Sequence, residues 1–259
     1  MTPELFAAAA KVCRAFVPAD GYGMVYGSQA TGPADSRSDL DLVLVGRDRP
    51  GPRTMRDLVA AVCRVHEEFG LRADSEVAYE TKLFATYRDA ERAVELRCFP
   101  SNEGQLRPES VVPEPHWLNS SEFAQRLLLN ALTSEHVFLG GSVRRYRADR
   151  SRAERALAVL VMSMVAPREL MTVPEAVQAL TRAPDGAEGK DFLGYTPSAH
   201  LCSTLQSGLA SLIDRNIVET VDGVRFRRRH ISRELAGLGE TSSSTCDNRS
   251  SIPIERNPR

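Results

Sequence analysis

The chain has 259 residues, 42% of them apolar and 26% charged, with a formal net charge of −1. That length suffices for one large domain or two ordinary ones, and the composition is that of a globular chain able to bury a core. Near-neutrality argues against binding nucleic acid through overall charge, and no apolar run approaches the roughly 18–20 residues that span a bilayer.

The N-terminal Met1-Thr2-Pro3-Glu4 lacks the basic-then-apolar layout of a secretion signal. The five cysteines (Cys13, Cys63, Cys98, Cys202 and Cys246) are odd in number, far apart and without a C-x-x-C pair. That pattern is neither a disulfide framework nor a zinc site. Together these features predict a reduced, cytoplasmic protein.

Residues 2–16 predict a helix, with Thr2 as cap, Pro3 at its first position, and Leu5, Phe6, Ala9, Val12, Cys13 and Phe16 on one face. A short strand follows at 23–26, then a polar loop. A second strand is predicted at 39–45, its acids alternating with apolar residues. After a turn at 46–51, residues 54–69 have helical period (Met55, Leu58, Val59, Val62, His66, Phe69) and stop at Gly70. Residues 71–79 read as a third strand and 94–99 as a fourth.

The sequence changes character across the Pro-rich stretch 107–115. Asn119 and Glu122 have capping-box spacing. The helix after them is expected to carry Phe123, Leu127, Leu128, Ala131, Leu132 and Leu139 and to end at Gly140-Gly141. Further helices are expected at 152–165, 173–181 and 197–215, with a loop at 186–194. Residues 217–220 and 224–227 flank Asp222-Gly223, a hairpin signal. From Ala236 onward Ser, Asn, Arg and Pro dominate, which predicts a disordered tail.

The most informative stretch is Tyr26-Gly27-Ser28-Gln29-Ala30-Thr31-Gly32, followed by Ser38-Asp39-Leu40-Asp41-Leu42-Val43-Leu44. Gly27-Ser28 follows a predicted strand and opens a tight turn. Glycine there lets backbone N–H groups approach a phosphate closely, and Ser28 adds a hydroxyl donor. Asp39 and Asp41 are two apart on a predicted strand, so their side chains leave the same face. Two such carboxylates beyond a phosphate-binding turn can share divalent cations, and Mg²⁺ takes hard oxygen ligands together with substrate phosphates.

This pattern resembles the nucleotidyltransferase superfamily that includes DNA polymerase β. The fuller form, Gly27-Ser28-x-Ala30-x-Gly32 with Ser38-Asp39-x-Asp41-Leu42, is most similar to the branch of the minimal and the aminoglycoside nucleotidyltransferases. The motif covers about residues 23–45, and the order of elements fits the family out to about residue 100. Thr31 departs from it, standing where an arginine is common.

The resemblance implies an α/β (α+β) fold: a small mixed sheet with helices on one side, then a mostly helical C-terminal domain whose ending resembles a winged helix. The expected organisation is a catalytic domain at 1–107, a helical domain with a hairpin at 117–235, and the tail at 236–259. The resemblance also implies transfer of a nucleoside monophosphate, AMP from ATP, to a hydroxyl of a small acceptor such as an aminoglycoside-like antibiotic or an antibiotic-pathway metabolite. Asp39 and Asp41 would hold two Mg²⁺ ions. The third carboxylate would be Glu76, with Asp74 the alternative; both are on the predicted third strand. Gly27, Ser28 and Ser38 would hold the triphosphate, of ATP or another nucleoside triphosphate.

Glu80 and Lys82 read either as a general base and a phosphate contact or as a solvated loop. His136 reads either as facing the site or as a helix-surface or core histidine. The run Arg225, Arg227, Arg228, Arg229, His230 is either a solvated face or a surface for an acidic partner or nucleic acid. Two other functions fit the same residues: a protein- or tRNA-modifying enzyme of toxin–antitoxin type, and a nucleotide-sensing regulator that binds nucleic acid through the hairpin.

Overall fold

Apolar residues in the strand at 22–26 and in the strand at 41–46 are buried without alternation, which requires cover on both faces of the sheet they form. The computed structural model describes residues 1–31, 38–72, 80–96, 101–102, 105–106, 121–164, 169–181, 195 and 197–229. By contacts, one compact unit runs from Met1 to Arg229.

Helix α1 (Pro3–Phe16) starts as the sequence predicts, with the Leu5 N–H donating to the Thr2 hydroxyl at 3.2 Å. Strand β1 (Tyr22–Tyr26) leads through Gly27 into a single helical turn, α2 (Ser28–Thr31), where a polar loop was expected. Strand β2 (Asp41–Gly46) begins at Asp41. Asp39 therefore precedes the strand rather than lying on it. Helix α3 (Pro52–Phe69) starts before the predicted residue 54, because Pro52 suits a first helical position. It ends at Gly70 in the left-handed conformation (φ 61°).

Most of the predicted third strand, residues 73–79 with Asp74 and Glu76, lies outside the described residues. A one-turn helix α4 (Glu80–Leu83) leads into strand β3 (Phe84–Thr86), which pairs parallel with β2. Helix α5 (Tyr87–Val94) follows; of the strand expected at 94–99, Val94 closes this helix and 97–99 lie outside the described residues. The start of α5 is a capping box: Asp89 N–H donates to Thr86 Oγ1 at 3.1 Å, and Thr86 N–H donates to Asp89 Oδ2 at 2.8 Å. Two short strands, β4 (Ser101–Asn102) and β5 (Gln105–Leu106), pair with each other.

Helix α6 (Ser121–Thr133) is shorter than predicted, and Val137–Gly141 is a strand, β6, that pairs antiparallel with β1. The helix expected to run on to Gly140 therefore ends before His136. Leu139 falls in helical phase with Leu128 and Leu132, but β1 offers a free edge that Val137 to Gly141 satisfies. The close approach is possible because Gly141 lacks a side chain: a Cβ there would lie 2.3 Å from the Gly21 carbonyl oxygen. The sheet thus has four strands in the order β3-β2-β1-β6, and its last strand comes from beyond the Pro-rich stretch.

Helix α7 (Val143–Met164) begins well before the predicted residue 152. Helices α8 (Val173–Thr181) and α9 (Ala199–Asp214) agree closely with expectation, α9 capped by the Ser198 hydroxyl. The hairpin forms between β7 (Val218–Thr220) and β8 (Phe226–Arg228), and Met171 bridges to Phe226. The Asn119–Glu122 box, the loop at 186–194 and the tail lie wholly or mainly outside the described residues.

The sheet is covered on both sides, not on one as expected. Val25, Leu42, Leu44, Phe84 and Leu139 pack against Leu5, Ala9 and Cys13 of α1 and Met55, Leu58 and Val62 of α3. Tyr22, Met24, Tyr26, Val43 and Val45 pack with Leu128 and Leu132 of α6 and Ala153, Leu157 and Leu160 of α7, in a core that continues to α8 and α9. Each such buried Leu or Val contributes about 1.5–3 kcal/mol of hydrophobic free energy. Among the described residues no helix is long and apolar enough to cross a membrane, and Cys13, Cys63 and Cys202 are free thiols.

Candidate functional site

The ladder between β1 and β2 pairs Tyr26 with Asp41, so the end of one strand meets the beginning of the next. Gly27 follows Tyr26 with φ 69°, a left-handed conformation that favours glycine. Its carbonyl accepts from the N–H groups of Ala30 (3.0 Å) and Thr31 (3.2 Å), closing the turn of α2. The Asp41 carboxylate lies directly against Gly27. A Cβ at that position would sit 2.2 Å from Asp41 Oδ2.

The other carboxylate oxygen faces a cation. Lys82 Nζ is 3.2 Å from Asp41 Oδ1, and the side chains of Lys82 and Asp41 are only 9% and 19% exposed. Lys82 is held there by its neighbours, since Leu83 and Phe84 are fully buried. Sequence spacing left Lys82 as either a phosphate contact or part of a solvated loop; Lys82 is buried and paired with Asp41, which overturns the solvated-loop reading and which the spacing did not reveal.

A second chain of contacts fixes the approach to β2. The buried His66 donates from Nδ1 to the Arg72 carbonyl at 2.9 Å, and the Arg72 N–H donates to the Ser38 carbonyl at 3.4 Å. His66 was legible only as one apolar-face position of α3, because its partner lies beyond the helix. Residues on both sides of 73–79 therefore touch the strand's beginning: Arg72 at Ser38, and Lys82 at Asp41.

Of the predicted site residues, the structure brings Gly27, Asp41 and Lys82 together, with Ser38 and Asp39 immediately upstream of β2. Ser28 is exposed at the start of α2. Asp74 and Glu76, like the side chain of Glu80, lie outside what is described. Among the described residues no group of three or more His, Cys, Asp or Glu side chains has a metal-holding arrangement. Asp41 offers hard oxygen, the ligand type that Mg²⁺ takes, and one of its two oxygens is already paired with Lys82.

His136 precedes β6, whose Val137 pairs with Val25, so it lies at the end of the sheet where β1 runs into Gly27. Because the Ser134 carbonyl can only accept, His136 Nδ1 donates to it (2.7 Å), and Nε2 of the neutral ring accepts from the Tyr146 hydroxyl (2.6 Å). Burial holds its pKa below the ordinary value. Farther along the same face, buried Asp149 accepts from Tyr22 Oη (3.3 Å) and Arg145 Nε (2.9 Å), and the Arg145 guanidinium lies 4.0 Å above the Tyr87 ring. Burial, then the Asp149 charge, raises the Tyr22 pKa far above its usual range. These groups tie α7 to β1 and α5.

Three of the hairpin arginines are engaged within the hairpin. Arg225 pairs with Asp222 at 2.7 Å, and Arg227 and Arg229 both pair with Glu219. Compared with known proteins, the chain matches no family model, no curated protein and no solved structure.

Proposed function

We propose that the chain is a Mg²⁺-dependent nucleotidyltransferase that moves a nucleoside monophosphate, AMP from ATP, onto a hydroxyl of a small acceptor such as an aminoglycoside-like antibiotic or an antibiotic-pathway metabolite. The observation that carries the reading is the contact of the Asp41 carboxylate with Gly27 at the sheet's end. A Gly-Ser turn and a strand-leading Asp-x-Asp motif are weak signals apart. Their side-by-side packing supports a common ligand, a metal-bound triphosphate. The core proposed is a nucleotidyltransferase sheet, and the Met171–Phe226 bridge beside the β7–β8 hairpin supports a winged-helix-like ending.

In this reading Asp41 and Asp39 would hold the metal, and Glu76, or alternatively Asp74, would complete the set. Two Mg²⁺ ions, when bound, would supply charge neutralisation of the triphosphate and acidification of the acceptor hydroxyl. The Gly27-Ser28 turn and Ser38 orient the phosphates. The acceptor oxygen bonds to the α-phosphorus, the bond from that phosphorus to the α,β-bridging oxygen breaks, and pyrophosphate leaves. Glu76 takes the hydroxyl proton. The intramolecular pairing of Arg225, Arg227 and Arg229 gives the nucleic-acid-binding alternative no added support.

The test is incubation with labelled nucleoside triphosphates, Mg²⁺ and a panel of small acceptors, read by mass for an added nucleotide. Asp41→Asn and Asp39→Asn are expected to remove transfer, and Asp41→Asn also to lower stability because it takes the carboxylate from the buried Lys82. Activity within about tenfold of wild type, only about 1.4 kcal/mol of barrier, contradicts the assignment. Comparing Glu76→Gln with Asp74→Asn then identifies the third carboxylate as the one whose neutralisation reduces the rate by orders of magnitude.

A further inference from the structure

Helix α7 carries one outward face made of arginine. At about 100° per residue, Arg144, Arg147, Arg152 and Arg155 fall within about 140° of arc, and from Arg144 to Arg155 the other residues on that arc are the small Ala148 and Ser151. Arg144, Arg147, Ala148, Ser151 and Arg152 are exposed; Arg155 is half-buried, its Nη1 donating to Ser151 Oγ at 2.9 Å. The acids of this part of the helix are engaged on its flanks. Buried Asp149 takes Tyr22 and Arg145, with Arg152 only at 3.8 Å, and Glu154 takes Arg150 at 3.0 Å and the Ser207 hydroxyl at 2.9 Å. Among the described residues Arg144, Arg147 and Arg155 have no carboxylate partner. Arg215, exposed at the end of α9, joins the Arg155 end of this face: burial, then the like charges of Arg215 and Arg152, lower the Arg155 pKa.

We infer that this face of α7, together with Arg215, is a docking surface for the phosphate backbone of a nucleic acid. The inference stands apart from the nucleotidyltransferase reading and uses none of its residues. A face that is merely solvated gains from acids at i,i+4 spacing, whereas like charges one turn apart, Arg144 with Arg147 and Arg152 with Arg155, repel. The first turn of α7 holds Arg144 and Arg145 and no acid, against the helix dipole. An external anion offsets both costs. The net charge of the whole chain is −1, so the arginine face is a local concentration rather than part of a generally basic surface. From Arg144 to Arg155 the helix rises about 17 Å, and a nucleic-acid strand carries a phosphate about every 3.4 Å along its axis, so several phosphates come within reach of these side chains. Guanidinium groups bind phosphate through two parallel N–H donors, and Ala148 and Ser151 leave a backbone room to approach. A lipid surface matches less well. The apolar face of α7 is buried with β1 and α9, so the helix has no apolar side left to enter a bilayer.

The experiment is fluorescence anisotropy of two labelled probes, a single-stranded RNA and a DNA duplex of about 20 nucleotides, titrated with the full chain at KCl concentrations from about 50 to 200 mM. Wild type is compared with a triple variant at exposed positions (Arg144→Gln, Arg147→Gln and Arg152→Gln), with the same three positions changed to lysine, and with a hairpin variant (Arg225→Gln and Arg227→Gln). Wild type is expected to bind at least one probe. The triple glutamine variant should bind at least about tenfold more weakly at the lowest salt, and its slope of log K against log salt should be shallower by about 2–3. The lysine variant should keep the slope, and the hairpin variant the affinity. Absence of wild-type binding to both probes overturns the inference, as does a glutamine variant with unchanged affinity and slope, or an equal loss in the hairpin variant. Polyglutamate that displaces the probe as well as unlabelled oligonucleotide assigns the face to an acidic protein and overturns it too. So does binding to phosphatidylserine vesicles that exceeds binding to either probe. Should the triple variant not fold, Arg147→Gln alone decides through its slope, expected to be shallower by about 0.7–0.9.

Discussion

Gly27 joins two demands at one residue: a left-handed backbone (φ 69°) and the absence of a side chain beside Asp41. Gly70 meets only the first, with φ 61° and open space around it. The pair separates the two effects. Gly70→Ala is expected to lose about 1–2 kcal/mol from backbone strain alone. Gly27→Ala adds a collision with Asp41, so it should be destabilised more in urea unfolding and should lose transfer activity as the carboxylate is displaced. Equal losses in the two variants would show that the Asp41 contact is unimportant. At His136, burial depresses the pKa below its ordinary 6.5. The unfolded chain therefore takes the proton first. The stability contributed by the neutral ring is fully present above pH 6.5 and is lost as pH falls through the depressed folded value. Between about pH 7 and pH 5, the wild-type melting temperature should fall more steeply than that of His136→Gln. Parallel slopes would remove His136 from the account.

Helix contacts explain where the pattern along the chain misleads. The first two turns of α7, which lie before the predicted start at 152, carry Arg144, Arg145, Arg147 and Asp149. Asp149 is in fact buried, because Tyr22 of β1 and Arg145 of its own helix satisfy it. Farther along, α7 packs so closely on α9 that a Cβ at Gly208 would lie 2.2 Å from the Glu154 carbonyl oxygen. That atom belongs to a helix backbone and cannot move aside cheaply. Gly208→Ala should force the helices apart and cost about 1–3 kcal/mol in chemical denaturation, despite raising helix propensity. A stabilised Gly208→Ala would mean that the two helices do not approach as described. Strand β6 shows the converse. Its leucine keeps step with α6, yet the strand forms because its backbone groups pair with β1.

For the whole molecule, the compact unit ends at Arg229, and the residues from Ala236 onward have too little apolar content to offset the entropy of ordering them. A chain ending at Leu235 should therefore keep its melting temperature and the proposed transfer activity. A fall of more than about 3 °C, roughly 1 kcal/mol for a chain of this size, would show that the removed residues contribute to the fold. Within Met1–Arg229 the sheet takes three strands from before the Pro-rich stretch at 107–115 and one from beyond it. The four strands share cores with helices on both faces, so a change in α6 or α7 is felt at β1.

Local periodicity and end signals make α1, α3, α8 and α9 readable in the amino-acid sequence alone, since a cap such as Thr2 or Ser198 and a stop such as Gly70 act within a few residues. The Gly27-Ser28 and Asp39-x-Asp41 motifs are equally readable, being short and adjacent to strands. What tertiary structure alone supplies is every fact that depends on a distant partner. The start of β2 at Asp41 follows from its ladder with β1, and the packing of Asp41 on Gly27 follows from that register. The second helical layer needs β6 to come from beyond residue 107, and the ion pair of Asp41 needs Lys82 to return after α3. Propensity and spacing act over a turn of helix or a pair of strand residues. Pairing register and buried charge are settled between segments tens to more than a hundred residues apart, where only the folded chain brings the groups within reach.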